Sequence, residues 1–193
     1  MDGSNPFATR FIGPGAIDYL FPPGISPDSL AVELQRNNWR GSIIGPHGSG
    51  KSSLLAALRP ALEQLGRAIV FQQLQGGQRA LDWPALAPRT WTKQTLVIVD
   101  GYEQLSRWQR WQLHARRWQR GAGLLVTAHQ PVRLPLLFMT KPTLELALGI
   151  VQRLLPESDD RILPADVAEA YTQQQGNLRE MLLSLYDVFR KRA

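Results

Sequence analysis

The chain has 193 residues, a formal net charge of +6 and no cysteine. A hydrophobic share of 44% and a mean hydropathy of -0.22 provide for a packed core and argue against wholesale disorder. The length is that of one domain, or of one domain with a small appendage. No apolar run approaches the roughly 18 residues needed to cross a bilayer. The first residues, Met1-Asp2-Gly3-Ser4-Asn5-Pro6, lack the basic-then-apolar order of a secretion signal, and without cysteine there is no disulfide framework, thiolate metal site or thiol nucleophile. The expected compartment is therefore cytoplasmic, with no membrane partner. The pI of about 10.2 rests mostly on arginine; it fits an anionic partner, and equally an arginine-rich composition with no partner at all.

Residues 1–26 combine Pro6, Gly13, Pro14, Gly15, Pro22, Pro23 and Gly24 with four aromatics, Phe7, Phe11, Tyr19 and Phe21. A flexible linker carries few aromatics, so this stretch is expected to be an irregular arm packed on the domain, or one that also walls a bound base. Ser26 and Pro27 then read as cap and first residue of a helix through Leu34. Ser42-Ile43-Ile44 is a short strand, and Leu54-Leu55-Ala56-Ala57-Leu58 opens a helix to about Leu65, with Pro60 the expected place for a kink.

Between that strand and helix stands Gly45-Pro46-His47-Gly48-Ser49-Gly50-Lys51-Ser52, followed by Ser53. This is G-x-x-x-x-G-K-[ST] in the strand-to-helix setting the motif requires. Glycines let consecutive N–H groups turn inward around a polyphosphate, and the helix N-terminus adds unpaired donors and the positive end of its dipole. Lys51 is positioned to neutralise the β- and γ-phosphates and Ser52 to ligate Mg²⁺. The ligands implied are ATP and Mg²⁺.

Ala68–Phe71 reads as a second strand, and residues 75–94 as loop with one short helix. Thr95-Leu96-Val97-Ile98-Val99 is apolar on both faces, as a central parallel strand is, and it ends at Asp100. An aspartate at the carboxyl end of such a strand is the expected second ligand of the metal, Walker B in kind. Glu103 lies three residues on. Two readings stand for it: activation of the attacking water, or a helix-start carboxylate favoured by the dipole. Leu124–Thr127 is a fourth strand. Its Thr127 is the candidate hydrogen-bond donor to the γ-phosphate or water, with His129 the rival. Leu134–Phe138 is a fifth strand, placed at an edge by Pro135.

Leu105–Arg120 is a helix on which Leu105, Trp108, Trp111, Ala115 and Trp118 make one apolar stripe. The tryptophans are expected in the core. Arg107, Arg110, His114 and Arg117 are expected on the outer face, there to track a nucleic-acid backbone or an acidic partner, or simply to be solvated. After Pro142 only helices are expected: 144–155, 165–173 and 178–192. The last opens with Asn177 and Glu180 spaced for a capping box. Strands alternating with helices and then helices alone give an α/β domain over 27–141 and a small helical lid over 142–193, behind the arm of 1–26.

The order of phosphate loop, Walker B strand, polar strand tip and helical lid resembles the AAA+ ATPases, and Gly176-Asn177-Leu178-Arg179-Glu180 resembles the sensor-2 segment of that family. The resemblance covers about residues 40–192. It implies a three-layer P-loop NTPase sandwich with a mainly parallel five-stranded sheet in the order 5-1-4-3-2 and a C-terminal lid. It makes Thr127 the sensor-1 residue, Arg179 the sensor-2 residue, and Ser52 with Asp100 the Mg²⁺ ligands; Lys51, Asp100, Glu103, Thr127 and Arg179 are the candidate catalytic residues. The usual Asp-Glu pair is replaced by Asp100-Gly101, an arrangement nearer to NACHT-type signalling ATPases. Among Arg116, Arg117, Arg120 and Arg133 none stands out as an arginine finger. Leu74-Gln75-Gly76-Gly77-Gln78 looks like the ABC-transporter signature but follows Lys51 too closely for that fold, and reads as a turn.

The leading expectation is an ATPase that couples nucleotide cycling to assembly or remodelling of a protein partner, or to self-association. The alternative is a slow nucleotide-dependent switch, and a small-molecule kinase stands third.

Overall fold

A computed structural model describes residues 5–13, 15–74, 76–155 and 159–192. Residues 1–4 and Pro14 of the expected arm, Gln75 of the expected turn, and the linker residues 156–158 lie outside the described residues. In chain order the elements are α1 (Thr9–Ile12), α2 (Pro27–Arg36), β1 (Arg40–Ile44), α3 (Lys51–Gln64), β2 (Ala68–Gln73), α4 (Trp83–Leu86), β3 (Thr95–Asp100), α5 (Arg107–Arg120), β4 (Gly123–Ala128), β5 (Leu136–Met139), α6 (Leu144–Leu154), α7 (Pro164–Gln173) and α8 (Leu178–Lys191). They form two compact units.

One unit comprises Pro23–Gly45 and Leu58–Met139. Its sheet has the order β2-β3-β4-β1-β5, and every neighbouring pair is parallel. With helices on both faces this is the α/β P-loop NTPase-like architecture and strand order expected. β3 and β4 are buried at every residue, which is why both read as unbroken apolar runs; β2, at an edge, is half exposed. The core beneath them gathers Trp91, Val97, Val99, Leu113, Leu124 and Val126. α3 continues through Pro60. The helix is not broken there; Pro60 and Ala56, whose carbonyl loses its donor, are both exposed to water.

The helix α5 reverses the expected orientation. Leu113 alone on it is fully buried, while Trp108, Trp111 and Trp118 are 61%, 59% and 77% exposed. Of the expected outer face, Arg107 stays exposed while Arg110, His114 and Arg117 pack inward. Arg110 donates to the carbonyls of Leu105 and Glu103 and lies over the Tyr102 ring. Arg117 donates to the Ala122 carbonyl, and the His114 Nε2 meets the Tyr102 hydroxyl at 3.0 Å. Main-chain carbonyls left open by the turn before the helix and by its C-terminus thus find charged donors, each such bond contributing about 1.5–3 kcal/mol. A periodicity count does not see those carbonyls.

The other unit comprises Met1–Pro22, Pro46–Ala57 and Thr140–Ala193. Phe7 is fully buried among Val151, Val167, Met181, Leu185 and Phe189, its ring edge-on to Phe189 at 5.8 Å. The arm therefore supplies part of the helical core. Asn177 caps α8 by accepting from the Glu180 N–H. The Glu180 side chain makes no return bond to the Asn177 N–H, which instead donates to the Gln174 carbonyl, so the expected capping box is half formed.

Burial, with the Arg117 and Arg40 charges adding, pushes the His114 imidazole below its ordinary value of 6.5. A base whose folded pKa is depressed stays neutral where the unfolded chain takes up a proton. Stability from this group is thus complete above about pH 6.5 and lost as pH falls below it. Thermal melts between pH 8 and pH 5 should show the wild type losing more stability on acidification than His114→Gln; parallel curves would contradict the inward placement of His114.

Candidate nucleotide site

Within the unit that holds the phosphate loop, the chain turns sharply at Gly48 (φ +65°) and Gly50 (φ +88°) and enters α3 at Lys51. Gly48 admits no side chain: a Cβ there would overlap the Asn177 Oδ1. The cap of α8 therefore lies directly against the loop. The Tyr19 ring covers Gly50, with its Cε2 3.3 Å from where a Cβ would stand, and burial pushes the Tyr19 hydroxyl up to about 12. The Lys51 ammonium is nearly buried and donates to the Pro46 carbonyl at 2.7 Å. Ser49 donates to the same carbonyl at 2.8 Å and pairs with the Thr140 hydroxyl at 2.6 Å. His47 is exposed, and Ser52 and Ser53 are half-buried at the first turn of α3. Arg179 is exposed two residues beyond Asn177.

Within the sheet unit, parallel pairing brings the carboxyl ends of β1, β3 and β4 to one edge: Ile44 pairs with Ala128, and Val99 with Val126. Gly45, where the phosphate loop begins, continues from β1 there, and its N–H donates to the Ala128 carbonyl. Asp100 is buried and held at both oxygens. Thr127 donates to Oδ1 at 2.5 Å, and the Gln73 amide to Oδ2 at 3.3 Å. The same Thr127 oxygen accepts the Gly101 N–H at 2.8 Å. Thr127 thus fixes the aspartate and the turn after it, and its hydroxyl is engaged there rather than extended beyond the strand tip.

Gly101 explains where the second acid went. Its φ is +88°, and a Cβ would lie 3.2 Å from the Leu74 carbonyl oxygen and 2.7 Å from the Gln104 amide. A glutamate at that position would be strained and crowded. The next acid, Glu103, meets His129 Nε2 through Oε1 at 2.8 Å, while its Oε2 is buried without a hydrogen-bond partner among the described residues. His129 Nδ1 is 3.2 Å from the Gly45 carbonyl. The strand tip thus uses both rivals for the sensing role, Thr127 on Asp100 and His129 on Glu103. The contact of Asn177 with Gly48 was not accessible to sequence reasoning, because no local pattern announces it; the φ-permissive Gly48 was its only trace.

These residues fit a magnesium nucleotide. Each unit offers a hard oxygen of the kind Mg²⁺ takes while keeping waters and phosphate oxygens, the Ser52 hydroxyl in one and the Asp100 carboxylate in the other. No cluster of three or more His, Cys, Asp or Glu side chains that could hold a metal by itself occurs among the described residues. No helix among them is long and apolar enough to cross a membrane.

No family model matches the chain, and no curated protein does. Among solved structures it is similar to a RuvB variant of Thermotoga maritima, with a TM-score of 0.52 and 15% identity, over 85% of this chain and 66% of that one. It is also similar to the Walker-type ATPase PABY2304 of Pyrococcus abyssi, with a TM-score of 0.49 and 13% identity, over 81% of this chain and 64% of that one. PCH-2 of C. elegans aligns with a TM-score of 0.42 and 11% identity, over 86% of this chain and 67% of that one. The chain thus spans about two thirds of the length of these structures. The likeness to RuvB shows a shared fold, that of the P-loop NTPases.

Thr127→Val removes the bonds to the Gly101 N–H and the Asp100 carboxylate and should cost about 1–3 kcal/mol in urea unfolding, whereas Thr127→Ser keeps the hydroxyl and should cost less. Equal stability of the Val variant and the wild type would mean that these bonds do not hold the strand tip.

Proposed function

We propose that the chain is a Mg²⁺-dependent ATPase of AAA+-like organisation, which couples nucleotide cycling to assembly or remodelling of a protein partner or to self-association. The observation that carries the reading is the loop itself: two left-handed glycines between a buried parallel strand and a helix whose first residue is Lys51. Residues 45–53 offer the phosphates their N–H groups and the helix N-terminus. Lys51 exchanges its bond to the Pro46 carbonyl for the β- and γ-phosphates. Ser52 and Asp100 would hold the ion, which would supply neutralisation of charge on those phosphates.

Glu103 is the base of this reading. As water attacks the γ-phosphorus and the bond to the β-γ bridging oxygen breaks, the water's proton passes to the carboxylate. The unpaired Oε2 is the atom suited to receive it, and His129 fixes the other oxygen. Arg179 is assigned to the phosphates as the sensor-2 arginine, and Thr127 acts through Asp100. Since Asn177 rests on Gly48, a change in the loop on nucleotide binding is felt at once by α8, which is the coupling that lid movement and partner remodelling need.

Equilibrium binding and steady-state hydrolysis test this together. Lys51→Ala should abolish ATP binding in the micromolar range, and Asp100→Asn should remove its dependence on Mg²⁺. Glu103→Gln should bind ATP while hydrolysis falls about 10²–10⁴-fold, the range of general acid–base catalysis. Arg179→Ala should keep its melting temperature and weaken binding or turnover. ATP binding that is indifferent to Lys51→Ala would sink the reading, and phosphate transfer to an acceptor other than water would replace it with a kinase.

A further inference from the structure

The exposed face of α5 has no part in the nucleotide chemistry, and its composition is unusual. Taken around the helix, the solvent-facing arc carries Arg107, then Trp118, Trp111 and Trp108, then Gln112, Gln119, Arg116 and Arg120. Three tryptophans more than half exposed on one helix form an apolar patch of the kind that marks an interaction site. Trp108 and Trp111 are stacked on each other, with centroids 4.8 Å apart and 16° between their planes. Beside them a groove of about 360 Å³ runs between α5 and the Pro88-Arg89 turn, floored by Trp111, Gln112, Ala115 and Arg116. The Arg116 guanidinium lies over the Trp83 ring, its Cζ 4.2 Å from the centroid. The Gln112 Oε1 has no hydrogen-bond partner among the described residues.

Charge and shape select the occupant. There is no acidic residue on α5 or in Pro88–Thr90, against five arginines on the helix and Arg89 on the turn. The occupant is therefore anionic. Apart from Ala115, every side chain on the arc ends in a planar group: indole, guanidinium or carboxamide. An acidic helix or peptide needs the charges but leaves the flat indoles without matching partners. A membrane-surface helix buries one continuous apolar face at the acyl boundary, whereas here the three indoles share the arc with Arg107, Gln112, Gln119, Arg116 and Arg120. A single-stranded nucleic acid uses both features, with phosphates on arginine and base faces on indole. In a duplex those base faces are hidden within the stack.

We propose that α5 and the Pro88-Arg89 turn form a binding site for single-stranded nucleic acid, with bases stacking on Trp108, Trp111 and Trp118 and phosphates paired with Arg107, Arg116, Arg120 and Arg89. The site lies within the sheet unit and makes no demand on the nucleotide reading, so either can fail alone.

Fluorescence anisotropy of an end-labelled oligothymidylate of about 15 nucleotides, titrated with the full chain in the absence of ATP, tests it. The wild type should bind at low salt, and the unlabelled single strand should compete better than heparin, than duplex of the same length, or than phosphatidylglycerol vesicles. Trp108→Ala/Trp111→Ala should weaken binding about tenfold or more, with ATP binding unchanged. Arg107→Gln/Arg120→Gln should lower the slope of log affinity against log salt by about 1.4, as two lost phosphate contacts require. Both variants alter exposed side chains, and thermal melts check that they fold; Trp118→Ala alone, which leaves the stacked pair intact, gives a second reading of the stacking term. Absence of binding at low salt, affinity unmoved by all of the tryptophan replacements, or competition by heparin, duplex or vesicles equal to that by the single strand would each overturn the proposal.

Discussion

A parallel sheet imposes one constraint from which most of this molecule follows: the carboxyl ends of all its strands lie on the same edge. Here that edge receives Gly45 from β1, Asp100 from β3 and Ala128 from β4, each at the end of a strand buried on both faces. Polar groups at such a place must find partners or pay the full cost of desolvation. Thr127 meets the demand for Asp100 and for the Gly101 N–H at once. His129 does the same between Glu103 and the Gly45 carbonyl. The strand tips are thereby a hydrogen-bonded platform rather than a row of free side chains, and Glu103 Oε2, buried at this edge without a hydrogen-bond partner among the described residues, is the atom to which the proposed chemistry is assigned.

The second constraint is the room around glycine. Gly101 excludes an acid directly after Asp100, because its φ is positive and the Leu74 carbonyl crowds it. Glu103, three residues after Asp100, lies on a helical turn that brings it to His129. Gly48 carries the same logic to the phosphate loop, where the missing side chain is what admits the cap of α8.

The five strands and the longer helices were legible in the sequence because buried strands read as apolar runs and helices as spaced ones; the strand order and the mainly parallel sheet came with the resemblance to the AAA+ ATPases. The turn from strand to helix over residues 45–51 was legible because left-handed glycines such as Gly48 and Gly50 mark a sharp local backbone geometry. Three features were not. The inversion of α5 depends on main-chain carbonyls at Glu103, Leu105 and Ala122, which reward arginine for facing inward. The half-formed cap at Asn177 depends on the competing Gln174 carbonyl. The pairing of Glu103 with His129 joins a turn after one strand to the tip of another, and no spacing along the chain encodes it.

The central claim is that residues 45–53 enclose phosphate. Hydrogen exchange of the backbone amides in that segment, followed with and without ATP and Mg²⁺, addresses it most directly. The account predicts that those amides become protected when the nucleotide is added, and that Lys51→Ala abolishes the protection. Exchange across 45–53 that is the same in both conditions would contradict it.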